Sequence, residues 1–266
     1  MIKLAFQEDL VPGDNLKARL AWLESQSIDG IELNGAGLTE RLPGIRHILP
    51  DYSVSVTAIC GGYRGWLVGE DPAEQQHFIS DMRLLLEHAA ELKAVGVITP
   101  TIWGTSHYLP LPKRKSSVSQ DQDTLLERLH TLGEYASKLG TAILLEPLNR
   151  YQTHYINEIA EALYIIDQVS SPGVKLIADL FHMNMEEREP LESLTQAGDR
   201  LAYVHLSDSN RKLPGLGHID FAAVFRRLRE IGFDGPASVE SLKPDDVQQL
   251  ESCAQFLRAL RDEGNE

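Results

Sequence analysis

Eight short apolar runs recur along the chain, each followed by a longer amphipathic stretch, and this alternation limits the fold more than any other feature of the sequence. The runs lie at residues 3–6, 30–33, 53–59, 95–100, 142–146, 174–179, 202–206 and 237–240. Most are unbroken Ile, Leu, Val and Ala. Strands with that composition are buried on both faces, as in a parallel sheet covered by helices. The stretches between them repeat at helical spacing. Leu16, Leu20 and Leu23 share one stripe over residues 15–25, and Phe78, Met82, Leu85, Ala89 and Leu92 share another over 74–92. Further helices are predicted at 123–139, 157–169, 190–197, 221–231 and 247–262. Pro43 interrupts an apolar pattern over 38–49. Asn157 and Asp220 are placed to cap helices at their N-termini, and Gly232 to close one in the left-handed conformation.

Strict β/α alternation leaves an open doubly wound sheet or a closed (β/α)8 barrel. An open dinucleotide-binding sheet carries a glycine-rich turn after its first strand. That place reads Gln7-Glu8-Asp9-Leu10. No phosphate-binding Walker loop occurs elsewhere. Eight units spread over all 266 residues, with no linker or low-complexity segment, predict one (β/α)8 barrel domain spanning residues 1–266.

Charge excludes one class of partner. The sum of 25 basic and 39 acidic residues is −14, and nucleic-acid binding depends on neutralised phosphates. No apolar run approaches the roughly 20 residues of a membrane helix. The apolar stretch at the N-terminus is too short for a signal peptide, so the cytoplasm is the expected compartment. Cys60 and Cys253 are expected as reduced thiols. The segment 101–122 holds Trp103, His107, Tyr108 and the basic run Lys113-Arg114-Lys115. It is long for a βα loop and is expected to form a lid over the C-terminal end of the fourth strand.

Active sites of such barrels lie at the C-terminal mouth. Four consecutive strands end there in charged or coordinating side chains: Glu146, Asp179, His205 and Glu240. On adjacent staves these groups converge. Three carboxylates held together without a cation repel one another. A single divalent ion removes that conflict. Three oxygens and one imidazole nitrogen suit Mn2+, Mg2+ or Co2+, with Zn2+ admissible. A metal at a carbonyl acidifies the neighbouring C–H, and two glutamates then offer one base for each face.

The segments Glu146-Pro147-Leu148-Asn149-Arg150, Asp179-Leu180-Phe181-His182, Val204-His205-Leu206-Ser207-Asp208, Gly217-His218-Ile219-Asp220 and Val239-Glu240-Ser241 resemble the xylose-isomerase-like sugar isomerases and epimerases. They are most similar to ketose 3-epimerases of the D-tagatose/D-psicose type. The ligand spacings of 33, 26 and 35 residues agree with that group. The resemblance implies a small-sugar substrate and a ketose 3-epimerase that works by deprotonation and reprotonation through a metal-bound enediolate. It implies Glu146 and Glu240 as both metal ligands and proton carriers, Asp179 and His205 as the remaining ligands, and His182 and Arg211 as contacts to sugar oxygens. It also implies a homo-oligomer, a dimer or tetramer. One position departs from the pattern. Six residues past the first ligand the group carries a second glutamate at the carbon 1 end of the substrate, and this chain has Gln152, an amide that cannot ionise.

Trp103 is a further candidate wall of the sugar pocket. His218 and Asp220 are read as shaping the turn before a helix. Glu32, ending the second strand, is given no role, and Cys60 is read as a buried thiol. The alternatives on the same scaffold are a sugar or cyclitol dehydratase, a hydroxypyruvate-type isomerase, an endonuclease IV-like phosphodiesterase and a non-catalytic sugar-binding subunit. The acidic charge weighs against the phosphodiesterase.

Overall fold

The computed structural model describes residues 1–68, 71–103 and 115–263, with the backbone alone at 72 and 115–121. Eight parallel strands close into a barrel in sequence order. They are β1 (Lys3–Gln7), β2 (Gly30–Asn34), β3 (Ser55–Cys60), β4 (Gly96–Pro100), β5 (Ala142–Glu146), β6 (Val174–Asp179), β7 (Leu201–Leu206) and β8 (Pro236–Val239). The ring shuts where Lys3 to Phe6 pair with Pro236 to Val239. The helices are α1 (Leu16–Ser25), α2 (Leu38–Ile48), α3 (Pro72–Glu91), α4 (Lys115–Leu139), α5 (Ile159–Val169), α6 (Leu180–Glu186), α7 (Pro190–Ala197), α8 (Phe221–Glu230) and α9 (Val247–Asp262). Among the described residues no helix is long and apolar enough to cross a membrane.

Two hydrophobic clusters follow from the period-2 alternation of the strands. A large one fills the space between sheet and helices, with Phe6, Phe78, Phe221 and Phe225 among its buried members. A small one fills the barrel interior with one residue from each of five neighbouring strands: Ala58, Ile98, Leu144, Ile177 and Tyr203. Side chains two residues further along a strand point the same way. Leu144 therefore sets the direction of Glu146, Ile177 that of Asp179, and Tyr203 that of His205.

Several local expectations are corrected. Helix α2 runs through Pro43, because Leu38, Leu42 and Ile45 bury one face of it and offset the missing hydrogen bond. Helix α4 begins at Lys115, so its first two turns occupy part of the segment expected as a lid. Residues 104–114 of that segment, with His107, Tyr108, Lys113 and Arg114, lie outside the described residues. The cap of α5 is Glu158, in a reciprocal capping box with Glu161. Asn157 instead donates its amide to the carbonyls of Leu148 and Thr153. Helix α6 was not anticipated. Asp220 caps α8 through the Ala223 N–H, and Gly232 has φ 73°, both as expected.

Candidate active site

The four strand-end side chains meet. One ligand atom from each of Glu146, Asp179, His205 and Glu240 lies within 4.8 Å of every other. His205 stands at the centre. Its Nδ1 is 2.7 Å from Glu240 Oε2, 3.3 Å from Glu146 Oε1 and 3.7 Å from Asp179 Oδ2. Glu240 follows β8 directly and keeps the ladder through its N–H to the Leu206 carbonyl. Asp179 divides its carboxylate. Oδ1 caps α6 by accepting the N–H groups of Phe181 and His182, which leaves Oδ2 turned to the site.

The donor set fits a hard divalent cation on the criterion of unsatisfied atoms. Glu146 Oε1, His205 Nδ1 and Glu240 Oε2 are buried, face one another and make no hydrogen bond. Their close approaches are ion pairs without hydrogen-bond geometry. Buried polar atoms left this way are costly unless a further partner is intended for them.

Electrostatics separate the two glutamates. Burial pushes the Glu146 carboxyl above its ordinary range, with His205 opposing. Burial acts upward on Glu240 as well, but His205 and Arg211 outweigh it and hold the carboxyl below its usual value. Asp179 is held well below the usual range against its burial, mainly by Arg211. Burial would lower the His205 imidazole, yet Glu240 and Glu32 raise it well above its ordinary value.

Arg211 joins the group as expected. Its guanidinium donates to Asp179 Oδ2 at 2.6 Å, pairs with Glu240 Oε2 at 2.7 Å, and lies over the Phe181 ring with 4.8 Å to the centroid. Its backbone is left-handed, with φ 60°. That conformation is costly outside glycine and persists only where the surroundings enforce it. Here the Arg211 N–H donates to the Asp208 carbonyl, and the Leu242 N–H donates to the Arg211 carbonyl. The loop behind Arg211 is wound around the buried Asp208 carboxylate, which accepts the N–H groups of Ser209, Gly215 and Ile219. Gly217 is required there, because a Cβ would lie 2.1 Å from Asp208 Oδ1. His218 shapes the same turn, with Nδ1 3.0 Å from Ser209 Oγ.

His182 is buried with Nε2 3.7 Å from Asp179 Oδ2. The Asn149 backbone N–H donates to its Nδ1, so the ring proton sits on Nε2 and faces the site. Asn149 is thus a site residue that sequence reasoning passed over, although it stands three positions after Glu146. Gln152 is half-buried on the loop after β5, and its Oε1 is buried without a partner. Trp103 follows β4 and is half exposed. Among the described residues no hydrogen bond, ion pair or ring contact joins it to Glu146, Asp179, His205 or Glu240. Cys60 ends β3 as a free thiol that is half-buried, not buried as expected, and it is pushed well up by desolvation and by Glu32 and Glu240. Glu32 is the larger omission. It is fully buried and bonded to His205 Nε2.

Residues 20–260 match the family described as the xylose isomerase-like TIM barrel. The chain belongs to that family. It is 31% identical over 235 residues to the 3-dehydro-D-guloside 4-epimerase of Escherichia coli, covering 88% of this chain and 90% of the relative. The crystal structure of an E. coli 3-keto-D-glucoside 4-epimerase superposes with a TM-score of 0.90 at 29% identity, covering 97% of this chain and all of the other. An L-ribulose 3-epimerase of Methylomonas is 40% identical over 119 residues, 45% of this chain and 42% of that protein. The expected membership and barrel are both borne out. The expected enzyme class is met in these relatives, which are epimerases.

Proposed function

We propose that this xylose isomerase-like barrel is a divalent-metal-dependent epimerase that inverts a sugar carbon next to a ketone, and that its substrate is a glycoside with the ketone at ring carbon 3. The observation that carries the epimerase reading is the buried meeting of Glu146, Asp179, His205 and Glu240. The choice of substrate is supported by the reach of the similarity. The relative acting on a 3-dehydro-guloside aligns along nearly the whole of both chains, whereas the L-ribulose 3-epimerase aligns along less than half. Gln152 supports it too, because an amide meets a neutral hydroxyl where a ketose 3-epimerase places a carboxylate.

Glu146, Asp179, His205 Nδ1 and Glu240 would hold the ion, which supplies positive charge to the ketone oxygen and so acidifies the adjacent C–H. One glutamate takes that hydrogen as a proton. The other returns a proton to the opposite face, and the carbon is inverted. Delivery of the two carboxylates by β5 and β8, with β6 and β7 between them, supports approach from two sides of the sugar. Arg211 adds fixed positive charge beside oxygen that becomes negative. The Nε2–H of His182 donates to a sugar oxygen. A second reading keeps the same chemistry on an open-chain 2-ketose inverted at carbon 3, and the 40% identity to the L-ribulose 3-epimerase favours it.

Manganese-loaded protein in deuterated water, given a 3-keto-glucoside and separately a panel of 2-ketoses, tests both. The expected result is deuterium at carbon 4 of the glycoside together with its 4-epimer. Exchange at carbon 3 of a ketose alone selects the second reading. A product lighter by one water indicates a dehydratase, and no exchange in either panel contradicts the epimerase.

A further inference from the structure

We infer that Glu32 is a positioning residue for metal capture, which holds the His205 ring so that Nδ1 faces the ligand group and Nε2 keeps the proton. The inference rests on the metal reading proposed above.

The two ring nitrogens of His205 have separate surroundings. Nδ1 faces Glu146, Asp179 and Glu240. Nε2 lies 3.0 Å from Glu32 Oε2. A carboxylate oxygen accepts, so the proton in that contact belongs to Nε2, and Nδ1 is the nitrogen turned toward the other three carboxylates, where a cation would take the place of any proton on it. The ring torsion of a histidine is broad and close to two-fold. The Nε2 contact favours this orientation over the two-fold flip that would present carbon to the site.

Glu32 is itself held from three directions. Tyr203 donates its hydroxyl to Oε2 at 2.9 Å, and Gln7 donates its amide to Oε1 at 2.8 Å. Both oxygens are therefore committed, and Glu32 is a support for a ligand, not a fifth ligand. The Tyr203 hydroxyl lies 2.7 Å from Thr57 Oγ1. Thr57 reaches the interior because β3 bulges there: Ile31 pairs with Val56 and Glu32 with Ala58, so Thr57 is the extra residue. Gly30 makes the room, since a Cβ would stand 2.3 Å from the Thr57 methyl. The side chains of Gln7, Glu32, Thr57 and Tyr203 thus form a polar layer directly beneath His205, while the interior beneath Glu146 and Asp179 is Leu144 and Ile177. Stability alone favours apolar residues over a fully buried carboxylate and its donors. A polar layer under the imidazole, with apolar residues under Glu146 and Asp179, matches the carboxylate–histidine–metal arrangement, in which the outer carboxylate fixes the tautomer.

Metal binding tests this without any sugar. Wild type, Glu32→Gln and Tyr203→Phe are titrated with Zn2+ and Mn2+ in competition with a chromophoric chelator, and folding is checked by thermal melting. Glu32→Gln is expected to weaken Kd by about 10–100-fold and Tyr203→Phe by less. Imidazole 15N NMR of the zinc-loaded wild type is expected to show Nδ1 bound and Nε2 protonated. Zinc on Nε2, or a folded Glu32→Gln with wild-type Kd, overturns the inference and leaves the metal reading standing. Should Glu32→Gln fail to fold, the wild-type spectrum and Tyr203→Phe decide. A wild type that takes up neither ion contradicts the metal reading itself. The inference falls with it, since a site that holds no metal has no ligand to position.

Discussion

The two halves of the barrel end their strands differently. β5 to β8 finish in Glu146, Asp179, His205 and Glu240, whose ligand atoms gather within 4.8 Å. β1 to β4 finish in Gln7, Asn34, Cys60 and Pro100, none of them in that group. The first half still reaches the chemistry, but through the second: Gln7 holds Glu32, and Glu32 holds His205. On the proposed function, the contrast separates side chains that would meet the substrate from those that fix where they stand. Substitutions in the two halves should therefore fail in different ways.

The largest effect is expected at the end of β8. Glu240→Gln removes the proposed proton carrier and keeps the shape, so turnover should fall by on the order of 10²–10⁴-fold while the melting temperature holds. Exchange of substrate hydrogen in deuterated water measures it, and retained exchange would remove Glu240 from the mechanism.

Asp208→Asn should act on stability first, because the carboxylate organises the loop that carries Arg211. A loss of about 1–3 kcal/mol is expected from its weakened backbone partners. The sign with pH follows from the direction of the shift. Burial raises the Asp208 carboxyl, but the N–H groups around it outweigh burial and hold it below its ordinary value. Its contribution is then complete above the ordinary aspartate range, about pH 4, and is lost as pH falls toward the lower native value. Thermal melts of both proteins should differ by a constant amount near neutrality and converge in acid. A gap that widens in acid would contradict this.

The smallest effect is expected at the end of β3. Cys60→Ser should change turnover by less than about fivefold, under ~1 kcal/mol of barrier. A loss comparable to that of Glu240→Gln would erase the distinction between the halves.

Much of this was readable beforehand, for a physical reason. Strands buried on both faces leave unbroken apolar runs, so their positions were found to within a residue or two, and the four candidate ligands stand out because each ends such a run. Helix α6 was invisible because seven residues leave no periodicity, and its cap is Asp179, a residue already assigned to the metal. The start of α4 was missed because residues 115–122 are almost entirely polar. Asn157 has the chemistry of a cap but spends its amide on two carbonyls of the preceding loop. Glu32 was beyond reach for a different reason. A lone carboxylate at a strand end carries no signal, and its partners Tyr203 and His205 are 171 and 173 residues away. Only closure of the barrel brings them together.

Anomalous diffraction from a manganese-soaked crystal tests the central claim most directly. One peak per chain is expected at full occupancy, with a carboxylate oxygen from each of residues 146, 179 and 240 and Nδ1 of 205 at about 2.0–2.3 Å. A crystal that takes up no manganese, or binds it away from these four side chains, would contradict it.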